Sequence, residues 1–231
     1  MAISNESRGR IRKVFEPIAL GMGRLGLTPD GLTLIGFGIT VIGALLVAQQ
    51  LWLAGGLVIF IGGVFDMFDG TLARATGRAS NLGAFMDSVF DRAGEVIVYI
   101  GLVVGLQELG VLNGTVLASA AMGSAVLVSY TRSKSEGLGF TAGTGMAAIG
   151  IMPREIRLVI LSTGLIAAGL IGTEPYLVEG EGGAGGAAFP VGAFVLLAAL
   201  AIITLGSTIT VIQRILHVRS QARSAAQPTT N

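Results

Sequence analysis

The chain has 231 residues, 52% apolar and 13% charged, with 15 basic and 14 acidic side chains and a net charge of +1. Soluble domains carry about 25% charged residues, so this balance and a mean hydropathy of +0.77 argue against a water-soluble fold and for a lipid bilayer. With no cysteine, disulfides and thiolate metal sites are excluded, and 36 glycines without a fixed period exclude a collagen-like repeat while suiting close helix packing.

Residues 1–30 are charged and interrupted by Pro17 and Pro29, so no secretory signal peptide is expected. The stretch 7–24, SRGRIRKVFEPIALGMGR, mixes basic residues with Ile11, Val14, Phe15, Ile18 and Leu20. That pattern predicts an amphipathic helix on the cytoplasmic leaflet, with a solvated basic leader as the alternative. A spanning helix needs about 20 mostly apolar residues. Six runs qualify, at about 31–49, 52–73, 83–106, 111–131, 155–173 and 188–213. They are separated by Gln49-Gln50, by 74–82, by Gln107-Glu108, by the glycine-rich 137–150, and by 174–187, which reads as a flexible loop. The expected fold is therefore an all-α integral membrane protein with six transmembrane helices, one domain over 1–219, and a disordered tail at 220–231.

Alternating spans place every Lys and Arg on one side or at span ends facing it, while the other side carries only Glu108, Glu174, Glu179 and Glu181. The positive-inside rule then makes both termini cytoplasmic.

Against this apolar background, FDMFDGTLARATGRASNLGAFMDSVFDR at 65–92 gathers Asp66, Asp69, Asp87 and Asp91. The first pair ends the second span and the second pair begins the third, both on the cytoplasmic side. Spacings of three and four leave each pair on one helix face. An ionised carboxylate in the apolar region costs about 2.5–3.5 kcal/mol, and four together repel, so a partner is required. Pairing with Arg74, Arg78 and Arg92 is one answer. A hard divalent cation is another, and it accounts for the two helix-registered pairs. The only histidine, His217, lies near the C-terminus, which disfavours zinc and copper. Gly70 and Gly83 allow close approach of a ligand to the backbone, Ala73 extends the small surface, and the planar guanidinium of Arg74 suits a phosphate. Together these features describe a site for a metal-bound diphosphate, in which two metals would clamp attacking and leaving oxygens.

DMFDGTLAR followed by GAFMDSVFD resembles the signature D-x2-D-G-x2-A-R-x8-G-x3-D-x3-D of the CDP-alcohol phosphotransferases, matching at Asp66, Asp69, Gly70, Ala73, Arg74, Gly83, Asp87 and Asp91. The resemblance implies a cytoplasm-facing enzyme of the cell membrane that transfers a phosphatidyl group from CDP-diacylglycerol, or an archaeal CDP-lipid, to an alcohol and releases CMP. It implies two divalent ions, Mg²⁺ or Mn²⁺, on Asp66, Asp69, Asp87 and Asp91, with Asp91 also the catalytic base. Asp69, Gly70, Ala73, Arg74 and Gly83 would contact the CDP moiety, joined by Pro29 and Asp30 of the LTPD segment.

A second cluster lies in SYTRSKSEG and MPREIRL. Arg132 and Lys134, with Arg154 and Arg157 three apart on one helix face, offer four cations to an anionic acceptor. Positive-inside topology with lipid headgroup contact is the alternative. The cluster is similar to that of the phosphatidylinositol phosphate synthases, which implies inositol 1-phosphate as acceptor. It differs in Pro153 before Arg154, in Glu155 between the arginines, and in Arg132 where Lys is common. Glycerol 3-phosphate or another alcohol is the alternative acceptor, although no lysine follows Lys134. A transporter with an acidic ion site is the different-class alternative, but it predicts acids near mid-span. Gly94, Gly101, Gly105, Ala118, Ala120, Ala121 and Gly123 serve either a dimer interface or internal packing. The family favours a homodimer. No nucleic acid is expected as a partner.

Overall fold

The computed structural model describes residues 5–109, 111–140, 146, 149–173, 176–178, 186–188 and 191–225, with side chains left undescribed at 5–14, 112, 176–178, 186–188 and 225. In chain order the described elements are α1 (Asn5–Arg24), α2 (Pro29–Ala48), α3 (Trp52–Ala75), α4 (Asn81–Glu108), α5 (Leu112–Gly137), α6 (Arg154–Ile171), β1 (Tyr176–Val178), β2 (Gly186–Ala188) and α7 (Val191–Ala225). They fall into two compact units, Met1–Leu109 and Gly110–Asn231.

Among the described residues four helical stretches are long and apolar enough to cross a membrane: Pro29–Ala48, Trp52–Ala75, Asn113–Gly137 and Val191–Ser224. Two other expected spans are helical but carry more charge, at Asp87, Asp91, Arg92 and Glu95 in α4 and at Arg154, Glu155 and Arg157 in α6. Large apolar side chains face outward along these helices, among them Ile42, Leu45, Phe60, Ile61, Leu127, Phe194 and Leu205. An apolar exterior of this kind suits lipid and not water.

In the first unit α2 packs against both α3 and α4, and α1 against α3. Glycine makes the α2–α3 contact close. A Cβ on Gly43 would lie 2.6 Å from Ile59 Cγ1, one on Gly55 would lie 2.5 Å from Val47 Cγ2, and one on Gly62 would lie 2.6 Å from Thr40 Oγ1. On α4, Gly94 faces Thr40, Gly101 faces the Ala44 carbonyl, and Gly105 faces Trp52. These three glycines therefore serve packing within the unit. The inner face of α1 places Ala19 in a cluster with Leu32, Phe68 and Leu72, and the Phe15 ring centroid lies 5.2 Å from that of Phe68. Ile18 points outward from the same helix.

In the second unit α5 and α6 each pack on α7. Ala118, Ala121, Ala125 and Val128 line the buried face of α5, at helical spacing. Of the remaining small residues, Ala120 and Gly123 are exposed. Leu161, Leu165 and Ala168 of α6 are buried, as are Leu196, Leu200 and Ile203 of α7.

Three expectations change. The 174–187 loop contains part of a ribbon in which Tyr176–Val178 pairs antiparallel with Gly186–Ala188, Tyr176 opposite Ala188. A Tyr-Leu-Val run has the side chains that favour extended pairing. Accordingly the last helix starts at Val191 and not at 188. The helix also continues through 220–225, where a disordered tail is expected, because Gln, Arg and Ala are good helix formers and extending an existing helix costs little. Residues 226–231 of that tail lie outside the described residues, as do 174–175 and 179–185 of the loop.

Candidate active site

The site in the first unit is built from three helix ends. Thr28 caps α2, its Oγ1 accepting from the Gly31 amide at 3.1 Å, and Pro29 occupies the first helical position, where a missing N–H costs nothing. Ser80 caps α4, its Oγ accepting from the Gly83 amide at 3.0 Å. Between them in sequence, α3 ends with its acidic pair and Arg74.

These ends surround a cavity of about 170 Å³. Pro29, Asp30 and Thr33 of α2 line it, with Asp69, Gly70, Ala73 and Arg74 of α3, and with Gly83, Ala84 and Asp87 of α4; Arg78, Ala79 and Ser80 complete the wall. All seven residues that the sequence resemblance assigns to the CDP moiety thus line one cavity. A second cavity, about 850 Å³, shares Asp69, Gly70, Arg74 and Asp87 with the first and adds Asp66, together with Phe15 and Glu16 from α1. Asp91 lines neither cavity; its Oδ2 lies 3.4 Å from Nη1 of Arg92.

Asp69 is buried at 5% exposure, and its two oxygens are held separately. Thr33 donates its hydroxyl to Oδ2 at 2.6 Å, and the Gly70 amide donates to Oδ1. The charges of Asp87 and Asp66 both act on this carboxylate. Asp66 in turn lies against the backbone of α2, because a Cβ on Gly36 would sit 2.6 Å from its Oδ1. On the same helix face one turn on, a Cβ on Gly70 would lie 3.2 Å from Nη1 of Arg74, so glycine there leaves the guanidinium room to fold over its own helix. A Cβ on Gly83 would lie 3.2 Å from the capping Ser80 Oγ and at ordinary contact distance, 3.5 Å, from Asp30 Oδ1.

This donor set suits a hard divalent cation: carboxylate oxygens only, on two helices, mutually repelling. Among the described residues no three acids already converge on one point. Ligation therefore calls for side-chain rotation, which aspartate achieves through its staggered χ1 wells and broad χ2. Thr33 and Gly36 were missed by sequence reasoning. Thr33 stands one turn beyond Pro29, on the same helix face, which was the available signal.

In the second unit the four predicted acceptor residues have different settings. Arg132 is exposed, and its Nε lies 3.0 Å from Oε1 of Glu136. Lys134, two positions on along the same continuous helix and so about 200° around it, lines a mostly apolar groove of about 190 Å³ with Tyr130, Phe140 and Arg214. Arg154 is half-buried at the start of α6. Arg157 is 1% exposed and donates through Nη1 to the Met152 carbonyl at 3.0 Å. The buried Arg214, which sequence reasoning assigned only to topology, donates from Nε to the Ile149 carbonyl at 3.0 Å.

The profile of the CDP-alcohol phosphatidyltransferase family matches residues 26–222. The chain belongs to this family. Family membership makes it a transferase of phospholipid biosynthesis. It is 36% identical over 220 residues to the phosphatidylinositol phosphate synthase of Cutibacterium acnes, covering 92% of this chain and 95% of that one. It is 35% identical over 154 residues to the archaetidylinositol phosphate synthase of Pyrococcus horikoshii, covering 67% and 77%. Among solved structures, the phosphatidylinositol phosphate synthase of Mycobacterium tuberculosis with CDP-DAG bound superposes with a TM-score of 0.70 at 27% identity, over 89% of this chain and 94% of that one. The same synthase in complex with manganese and citrate gives a TM-score of 0.70 over 89% of both chains.

Proposed function

We propose that this family member transfers the phosphatidyl group of a CDP-linked lipid to inositol 1-phosphate. The observation that carries the reading is the shared cavity wall, on which Asp69, Asp87, Arg74 and the capped starts of α2 and α4 meet. Helix starts and arginines favour an anion, and the acids favour a cation, so the wall is complementary to a metal-bound diphosphate. The names of the relatives, phosphatidylinositol and archaetidylinositol phosphate synthases, favour a phosphorylated inositol as acceptor.

In this reading Asp66, Asp69, Asp87 and Asp91 hold two divalent ions, Mg²⁺ or Mn²⁺, and the crystal structure of the M. tuberculosis relative in complex with manganese supports a divalent metal. When bound, the ions neutralise the diphosphate and stabilise the departing CMP oxygen. Thr33 and the Gly70 amide keep Asp69 oriented. Arg74 and Arg78 bind phosphate oxygens, while Gly70, Ala73, Gly83, Pro29 and Asp30 admit the nucleotide against the backbone. Asp91, one turn beyond Asp87, takes the proton of the acceptor hydroxyl as its oxygen bonds to the lipid-bearing phosphorus and the bond from that phosphorus to CMP breaks.

Lys134, which lines a groove with the buried Arg214, is the favoured contact for the acceptor phosphate, together with Arg154 and Arg157 of the start of α6, while Arg132 is engaged with Glu136 at the surface. The membrane arrangement completes the proposal. All six of α2 to α7 cross the bilayer, both termini and the site are cytoplasmic, α1 lies along the cytoplasmic leaflet, and the enzyme acts as a homodimer.

Purified protein given CDP-diacylglycerol, Mn²⁺ and labelled inositol 1-phosphate should release CMP and form labelled lipid. A parallel arm with an ether-linked CDP-lipid identifies the donor. Label entering lipid only from glycerol 3-phosphate would overturn the acceptor. A reporter placed after Glu181 should lie outside the cell, and a cytoplasmic signal would overturn the topology.

A further inference from the structure

Beyond the four aspartates, α4 carries one more acid on the same face. Glu95 stands four residues past Asp91, which itself stands four past Asp87. That spacing stacks the three side chains along one stripe of the helix. Glu95 is half-buried and lies a turn further into an apolar run, where an ionised carboxylate is expensive. The chemistry set out above gives it no task.

Arg92 links it to Asp91. The Arg92 Nη1 lies 3.4 Å from Asp91 Oδ2, with the Asp91 side chain 17% exposed and that of Arg92 35%. Successive residues on a helix do not face each other, so the guanidinium has to bend around the helix to reach Asp91, and 3.4 Å is long for a charge-assisted bond. Glu95 is three positions from Arg92, a spacing at which side chains are neighbours and opposite charges attract. The contact with Asp91 is therefore the geometrically poorer of two that this arginine can make.

The backbone on either side of Asp91 is fixed to α2. The Phe90 ring centroid is 5.0 Å from that of Phe37, and a Cβ on Gly94 would come within 3.3 Å of Thr40 Cγ2. Asp91 can thus reach the cavities that Asp87 lines only by turning about its own side-chain torsions, away from Arg92. A half-buried guanidinium that loses its carboxylate needs another.

We propose that Glu95 takes over Arg92 when Asp91 turns to the divalent metals, which makes Glu95 a positioning residue for the metal site. It touches neither ion nor substrate. The proposal rests on the reading above in which Asp91 is a metal ligand.

The 231-residue chain in nanodiscs of neutral lipid is titrated with Mn²⁺, and binding is read from the loss of the paramagnetic resonance signal of the free ion. Glu95→Gln keeps the size of the side chain and removes its charge. It leaves Arg92 on Asp91 and should weaken Mn²⁺ binding about ten-fold, the scale of one hydrogen bond to a charged group. In an Arg92→Gln background the same change should alter binding less than about two-fold, since the competitor for Asp91 is gone. A general loss of negative charge would weaken both backgrounds alike. If Glu95→Gln does not fold, Glu95→Asp, which shortens the reach to Arg92, should show the same dependence on background. Unchanged binding, or an equal loss in both backgrounds, would overturn the exchange. Asp91→Asn should weaken Mn²⁺ binding by more than Glu95→Gln does; wild-type binding in that variant would overturn Asp91 as a ligand, and the exchange with it.

Discussion

The two compact units use charge in opposite ways. The first leaves Asp66, Asp69 and Asp87 at one cavity wall, where Thr33 and the Gly70 amide hold the two oxygens of Asp69. The second turns two of its arginines inward and satisfies them on carbonyls of its own backbone. Like charges gathered at a cavity wall favour a bound cation, whereas a guanidinium buried on carbonyls already has part of its donor set satisfied by the fold.

That contrast can be broken most severely at Asp87. Asp87→Asn removes one charge from the wall, and metal-dependent CMP release should fall by about 10³-fold, the scale of several kcal/mol of lost charge stabilisation. A CMP-release assay at saturating Mn²⁺ checks this, and near-normal turnover would remove Asp87 from the metal site. Gly36→Ala comes next. Its new Cβ would sit 2.6 Å from Asp66 Oδ1, and overpacking of this kind costs about 1–3 kcal/mol. The expected result is a 10- to 100-fold weaker metal requirement curve, roughly that range by the same conversion, read by titrating Mn²⁺ against rate.

Thr33→Val tests how much of the wall depends on its support. The hydroxyl bond to Asp69 is one to a charged group, so about a ten-fold rise in the Mn²⁺ concentration for half-maximal rate is expected. An unchanged titration would mean that Asp69 orients itself. The smallest effect belongs to the second unit. Arg132→Ala removes an exposed pair with Glu136, worth about 0.3–0.5 kcal/mol, and should change the acceptor KM less than about two-fold. A ten-fold rise would return Arg132 to the acceptor site and blur the distinction between the units.

Much of the first site was legible because it is local. Its carboxylates fall on two consecutive helices joined by a short turn, so helical periodicity alone puts each pair on one face. Thr33 and Gly36 were not legible in the same way, since their partners lie 36 and 30 positions away in sequence, and only the close α2–α3 packing brings them to Asp69 and Asp66. In the second unit the cationic spacing of Arg154 and Arg157 placed both on one face, yet the face was partly interior. Spacing defines an angle around a helix and carries no information about depth.

By itself, then, the order of residues determined the membrane character, the helical runs, the acidic pairs and their glycine-lined surroundings, because each follows from composition or from a period of 3.6. Tertiary structure alone decided that Arg157 and Arg214 lie inside, that Gly36 makes room for Asp66, and that Gly94, Gly101 and Gly105 are occupied by α2 and Trp52. Those outcomes depend on which helix faces meet, and meeting faces are set by the packing of side chains far apart in the chain.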